Sequence, residues 1–188
     1  MNIFSRVPLI VWILVPTAII IGLGVWFLTK SDMGRDSSGE GETRPAAVSN
    51  PVEGTVDFDI VGREHVAQGT TVSTYNSNPP SSGPHWGSPA KNGIYDNQLP
   101  DEQLIHDLEH GYIWISYKPD IGDDVKGELK KIVDEDNWKI VLEPRDKNET
   151  AIALVAWGRV LKMDAPDYEK VKDFIRTYRN RGPERTPE

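Results

Sequence analysis

The chain has 188 residues, a formal net charge of −8 and no cysteine. Its length leaves room for one globular domain beyond a targeting segment, and the missing thiols exclude disulfides and thiolate metal sites. Every Asp and Glu lies after residue 30, so the domain is more acidic than the whole chain. Such a surface repels phosphate backbones, which excludes nucleic acid as a partner and leaves a protein partner open.

Residues 7–29 are uncharged and almost entirely aliphatic or aromatic. As a helix they would span roughly 34 Å at about 1.5 Å per residue, enough to cross a bilayer core of about 30 Å. The run exceeds the roughly 7–15 apolar residues of a cleaved signal peptide, and no small-residue cleavage site follows closely. We therefore expect residues 1–30 to form a short tail and a retained single-pass anchor in the cell membrane. Arg6 and Lys30 nearly balance the flanking charge, but the short tail favours an extracytoplasmic C-terminal domain.

The amino-acid composition divides the remaining chain into a linker and a folded domain. Residues 31–51 are rich in Gly, Ser, Glu and Pro, which predicts a flexible linker, and the folded domain is expected over residues 52–188. Alternation of apolar and acidic residues over 56–61 predicts a short strand. Residues 69–97 are dominated by Pro, Gly, Ser and Asn, and structureless loops beyond about 12–15 residues are uncommon in compact domains. Aromatic side chains within this stretch favour an ordered loop with a function.

The second half of the domain alternates helices and strands. A helix is predicted over residues 100–110, with Pro100 in its first turn and Gly111 as its stop. A strand over 112–117 follows, then an amphipathic helix over 122–136, strands over 138–142 and 151–161, and a last helix over 166–178. This order predicts an α+β fold in which helices pack on one face of a small, mainly antiparallel sheet.

The segment His106-Asp-Leu-Glu-His110 carries the clearest chemical pattern. At 100° per residue, His106 and His110 lie one above the other, while Leu104 and Leu108 point to the opposite side of the helix. If the leucines face the core, the two imidazoles face solvent or a loop. An i,i+4 histidine pair is suited to binding a metal ion through both rings. Glu109 lies close enough to be a third ligand, a supporting group or a base.

A third histidine occurs in the long loop. His85 follows Ser-Ser-Gly-Pro, and three of the four histidines of the chain lie within 26 residues. We therefore predict a metal site formed by His85, His106, Glu109 and His110. Nitrogen and oxygen donors favour a divalent ion, zinc or copper. His65, in contrast, is predicted to be an ordinary surface or strand residue.

The sequence pattern H-x-x-E-H of residues 106–110 also matches the inverzincin metalloprotease motif, in which the histidines bind zinc and the glutamate is the base. Five positions with two wildcards are a weak match. Those enzymes need a further acidic ligand within a larger helical framework, whereas this helix is predicted to stop at Gly111. A peptidase is therefore disfavoured.

Several short motifs occur in a characteristic order: Ser82-Gly-Pro-His85, Tyr95-Asp, Leu99-Pro-Asp-Glu102, His106-x-Leu-Glu-His-Gly111, Ala156-Trp-Gly158 and Gly182-Pro-Glu184. In these motifs the chain resembles a bacterial family known as domain of unknown function 3105, over about residues 75–184. The resemblance implies an N-terminal anchor and an extracytoplasmic domain. It implies no activity, substrate or catalytic residue.

Three hypotheses for the function follow. The first is a membrane-anchored, extracytoplasmic metal-binding protein that uses the histidine and glutamate cluster. The second is a metal-dependent hydrolase with Glu109 as base and a metal-bound water. The third is a membrane-tethered interaction module in which the histidines only brace the long loop through hydrogen bonds.

Overall fold

The structure is a computed structural model that describes residues 44–186. The helices predicted over 100–110, 122–136 and 166–178 are confirmed. In chain order the elements are β1 (Val56–Asp57), β2 (His65–Val66), β3 (His85–Trp86), β4 (Gly93–Ile94), α1 (Asp101–Glu109), β5 (Ile113–Tyr117), α2 (Asp123–Glu135), β6 (Ile140–Pro144), β7 (Ile152–Ala156), β8 (Arg159–Met163) and α3 (Tyr168–Tyr178).

The main sheet has six strands in the order β1-β8-β7-β5-β6-β4, and β2 pairs with β3 in a separate parallel sheet. The pairs β1–β8, β8–β7 and β7–β5 are antiparallel, whereas β6 runs parallel to both β5 and β4. The parallel pairing arises because α2 carries the chain from the end of β5 back to the start of β6. The α+β class is therefore confirmed, and the sheet is mixed.

The expectation that all helices pack on one face of the sheet is wrong. The four long strands alternate side chains between two apolar layers. Ile113 and Ile115 pack with residues of α2 and α3, whereas Trp114 packs with Leu104 and Leu108 of α1. A strand that is buried on both faces is a continuous apolar run without alternation of apolar and polar residues. The sequence therefore did not show that helices cover both faces of this sheet. Among the helices of residues 44–186, only α1 therefore lies on the face that carries the candidate site.

The single strand predicted over residues 151–161 is in fact a hairpin of β7 and β8. Trp157 and Gly158 form its turn, and Gly158 adopts a φ of +67°, a conformation that favours glycine. The strand before the turn is entirely apolar, and Val160, Leu161 and Met163 of the strand after it are also apolar, which obscured the turn in the sequence.

The predicted anchor within residues 1–30 lies outside the described residues. Between residues 44 and 186, no helix combines the length and the hydropathy that a bilayer span requires. The last part of the predicted linker, residues 44–51, contacts the domain. Val48 packs against the core, and the buried Arg159 guanidinium donates a hydrogen bond to the carbonyl oxygen of Ala46.

Candidate metal centre

The long Pro- and Gly-rich loop is ordered, and its middle is buried at residues 79–83. Backbone and side-chain hydrogen bonds attach it to residues 61–64. Val61 N donates to Ser82 Oγ at 3.2 Å, and His85 N donates to the carbonyl oxygen of Glu64 at 2.9 Å. These bonds satisfy polar groups that would otherwise be buried unpaired. They also hold His85 in a fixed position.

Gly83 is required for this arrangement. Its φ is +129°, and a Cβ at this position would lie 2.9 Å from ring atoms of Tyr75. The carbonyl oxygen of Gly83 in turn lies 2.8 Å from His85 Nδ1. The glycine therefore lets the loop approach the aromatic ring while it orients the following histidine.

The pairing of β2 with β3 places His65 opposite His85 in register. Side chains at directly opposed positions point to the same side of a sheet. The two imidazole rings accordingly lie 5.0 Å apart, edge to face. His65 remains exposed, whereas His85 is fully buried.

Helix α1 supplies the other two side chains. Leu104, Ile105 and Leu108 are completely buried against the sheet, so the opposite side of the helix faces β3 and the long loop. His106 and Glu109, which are 5% and 4% exposed, lie on that side. Of the two alternatives that the sequence left open, solvent or a loop, the histidine side of the helix therefore faces the loop.

Together these elements form one compact cluster of ionisable groups. One potential ligand atom from each of His65, His85, His106 and Glu109 lies within 4.8 Å of the other three. The ring of His106 is 5.0 Å from that of His65, 5.1 Å from that of His85 and 4.5 Å from that of His110. Three of the four histidines of the chain thus belong to this cluster, and the fourth, His110, contacts it through His106.

Hydrogen bonds to backbone carbonyl groups set the tautomers of the two buried rings. His85 Nδ1 lies 2.8 Å from the Gly83 oxygen, and His106 Nδ1 lies 2.9 Å from the Trp86 oxygen. A carbonyl oxygen only accepts, so each Nδ1 carries a proton, and in the neutral ring each Nε2 carries the lone pair. Metal-bound histidines are typically oriented through such bonds from their second nitrogen.

The second ring nitrogen of His85 faces Glu109. His85 Nε2 is buried without a hydrogen-bond partner among the described residues, although Glu109 Oε2 lies only 3.1 Å away. A lone pair on Nε2 that faced the carboxylate directly would be unfavourable. Either a proton on Nε2 or a metal ion between the two groups removes that cost.

The charges in and around the cluster favour the protonation states in which Glu109 and His106 can bind a metal ion. Burial raises the pKa of Glu109, but the nearby His85 and the Arg63 guanidinium outweigh burial and lower it overall. Arg63 Nε lies 3.6 Å from Glu109 Oε1. Burial, with His110 and His85 close by, lowers the pKa of His106. Glu109 is therefore held as a carboxylate, and His106 is favoured as neutral imidazole, the forms that bind metal.

His110, which the sequence assigned to the metal set, lies beside the cluster but outside the group of four. Its Nε2 is 3.1 Å from Glu184 Oε2, near the C-terminus. Its Nδ1 is buried and makes no hydrogen bond with the described residues.

The sequence missed His65 as a member of the cluster. It is exposed and lies in a strand, as predicted, but β2 is only two residues long. No local sequence pattern identifies a strand pairing of only two residues. The only signal was the scarcity of histidine in the chain.

The arrangement fits a tetrahedral ion with small adjustments. Zinc bonds of about 2.0–2.1 Å hold tetrahedral ligand atoms about 3.3 Å apart. The four atoms of the cluster, within 4.8 Å of one another, would need to converge by up to about 1.5 Å, which side-chain rotations provide. The donors come from β2, β3 and α1, so an ion would link three segments.

The chain belongs to a family described as protein of unknown function (DUF3105), whose model matches residues 65–188. The resemblance noted from the motifs is thereby confirmed, and the match begins at His65 and includes the whole cluster. Comparison with curated proteins and with solved structures gives no match.

Proposed function

We propose that this domain binds a divalent transition metal ion, zinc or copper(II), through His65, His85, His106 and Glu109. The observation that supports this most is the collection of three histidines, His65, His85 and His106, around one buried carboxylate. Nitrogen and oxygen donors in this ratio suit zinc and copper(II) better than a soft ion or magnesium.

A purely bracing role for the histidines explains fewer of the contacts. The Nδ1 bonds of His85 and His106 do hold the loop. Bracing accounts for the buried Nε2 of His85 beside Glu109 only if that ring is protonated, and it does not account for the exposed imidazole of His65 beside the same two side chains. A bound cation accounts for both, because it pairs with the lone pairs and with the carboxylate charge.

Elemental analysis of the full chain, purified in detergent with an affinity tag free of histidine, tests the proposal. We expect about one equivalent of zinc or copper per chain, as structural and catalytic sites of this type hold one ion. His85→Ala combined with His106→Ala should reduce it to background. Glu143→Gln, at a buried glutamate outside the cluster, is the matched control and should retain the metal. Substoichiometric metal in the parent, unchanged by the double substitution, would refute the proposal.

A hydrolase is the second candidate, because three of the four donors are imidazoles. Three histidine ligands with an open fourth position are typical of catalytic zinc. In that arrangement Glu109, which its lowered pKa keeps ionised, would act as base toward a metal-bound water. Glu109→Gln then keeps metal and loses turnover of an ester or peptide panel. If Glu109 is a ligand instead, the same variant loses metal affinity.

We further propose that the domain is tethered to the outer side of the cell membrane by the apolar segment over residues 7–29. The support is the length and composition of that segment. Alkaline extraction of membranes should leave the full chain in the pellet, and added protease should degrade the domain in spheroplasts without lysis. Release by alkali, or protection until lysis, would count against the anchor or its orientation respectively.

A further inference from the structure

The C-terminal segment, residues 180–186, lies against the end of α1 that carries Glu109 and His110. Asn180 N donates to the Gly111 carbonyl oxygen at 2.7 Å, and Glu184 N donates to the Glu109 carbonyl oxygen at 3.0 Å. These bonds satisfy carbonyl groups at and just beyond the end of the helix, where such groups lack partners within it. The backbone of a candidate ligand is thus held by the tail.

The contact between tail and helix is close enough to exclude any side chain. A Cβ at Gly182 would overlap the backbone of Glu109 and would lie 2.5 Å from Gly111 N. Gly111 has a φ of +83°, and a Cβ there would meet the backbone of Asn180 at 2.8 Å. Two glycines therefore let the two backbones touch.

A buried lysine fixes the same junction from a third side. Lys139 is 1% exposed, and its Nζ donates to the His110 carbonyl oxygen at 2.9 Å and to Asn180 Oδ1 at 3.1 Å. It also donates to the carbonyl oxygen of Thr186 at 3.0 Å. One ammonium group therefore joins the helix end to both ends of the segment.

The tail also reaches the imidazoles directly. Glu184 Oε2 lies 3.1 Å from His110 Nε2, and the His110 ring packs edge to face on His106 at 4.5 Å. A carboxylate accepts, so Nε2 of His110 carries the proton and the ring has one preferred orientation. That orientation limits the rotation of the neighbouring His106 ring.

We propose that the C-terminal segment positions the metal ligands of α1, with Glu184 acting through His110 on His106 and Gly182 allowing the tail to hold Glu109. This inference rests on the proposed metal centre. His110 and Glu184 are positioning residues in it, not ligands. Outer partners of this kind typically contribute about 10–100-fold to metal affinity.

The test uses the full chain in detergent with Co²⁺ as a spectroscopic probe and Zn²⁺ affinity measured against a competing chelator. Glu184→Ala and Gly182→Ala should weaken zinc binding by about 10–100-fold and alter the visible Co²⁺ spectrum. Glu184→Gln keeps an acceptor oxygen for His110 and should restore much of the loss. Glu169→Ala, at an exposed glutamate of α3 paired with Lys172, is the control and should leave both readouts unchanged.

A merely structural tail gives a different result. Glu184→Ala would then lower the melting temperature equally with and without metal, while affinity and spectrum stay those of the parent, and that outcome overturns the inference. Glu184→Ala decides the test if Gly182→Ala fails to fold. A parent chain that binds neither ion refutes the metal centre itself and this inference with it, whereas a metal-binding parent with unaffected variants refutes the inference alone.

Discussion

His65 and His85 lie directly opposite each other in the parallel pairing of β2 with β3, and their rings are 5.0 Å apart. Only two residue pairs make up this small sheet. So short a pairing has little stability of its own. An ion held by both rings and by α1 would therefore stabilise this part of the domain more than the main sheet.

Metal addition should stabilise the native chain through His65. A ligand at about 100 times its Kd adds about 2.7 kcal/mol to the free energy of unfolding. His65→Ala should remove most of that gain. Because the side chain is exposed, the same change should alter the metal-free stability by only about 0.5 kcal/mol.

Calorimetry with and without saturating zinc measures this gain. Glu64→Ala, at the adjacent exposed position, is the matched control and should keep the full increment. An undiminished increment in His65→Ala would show that His65 is not a ligand.

Gly83→Ala should destabilise the domain by about 1–3 kcal/mol, because its φ of +129° is strained for alanine and the methyl group would meet the Tyr75 ring. The same displacement moves His85 and should weaken metal binding. Gly127→Ala offers a control of opposite sign. Gly127 lies inside α2, and apart from the neighbouring backbone of the helix itself no described atom lies within 4 Å of the position that an alanine methyl group would take there, so alanine should stabilise by about 0.5–1 kcal/mol. Urea unfolding of both variants tests the pair, and equal effects would contradict the assigned role of Gly83.

Glu143 should make the domain less stable as the pH rises from about 5 to 8. Burial, reinforced by Asp101, raises its pKa from 4.5 to about 8 despite hydrogen bonds from Leu99 N and Trp114 Nε1. Below pH 4.5 the carboxyl is protonated in both folded and unfolded states. Between 4.5 and about 8 only the folded state keeps the proton, so the free energy of unfolding falls as pH rises. Each unit of difference is worth about 1.4 kcal/mol.

Comparison with Glu143→Gln isolates this contribution. The amide does not titrate, so the stability of the variant relative to the parent should improve steadily from pH 5 to pH 8. The test is the slope of this stability difference against pH. The amide also changes the hydrogen bonds at the site, but that effect is independent of pH and shifts the whole curve equally. Parallel curves for the two proteins would show that Glu143 ionises normally.

Arg145→Ala should cost about 3–5 kcal/mol, the usual loss when one partner of a buried ion pair is removed. Arg145 is 2% exposed and binds both carboxylate oxygens of Asp101, at 2.9 and 2.7 Å. It also donates to Asn78 Oδ1 at 2.7 Å, which connects the long loop to the start of α1. Arg176→Ala, in an exposed pair with Asp173, should change stability by less than about 1 kcal/mol. Chemical denaturation distinguishes the two, and similar small losses would refute the role of the buried pair.

Local sequence patterns predicted the helices well and the strands less well. The apolar positions of α1 and its Pro and Gly boundaries are local signals, and they also determined that His106 faces away from Leu104 and Leu108. The hairpin turn at Trp157–Gly158 was missed because the strand before it is entirely apolar and the strand after it is mostly apolar. The second covered face of the sheet was missed for the same reason, since a strand buried on both sides shows no alternation.

The sequence by itself determined the acidic charge, the absence of thiol ligands, the apolar composition of residues 7–29 and the helical phase that groups His106 with Glu109. Each follows from composition or from a period of a few residues. Only the tertiary structure brought His65 into contact with His85 and His106 and paired His110 with Glu184. Those contacts join residues 20 to 74 positions apart, and their geometry depends on how two-residue strands and a terminal tail pack, which no local pattern encodes.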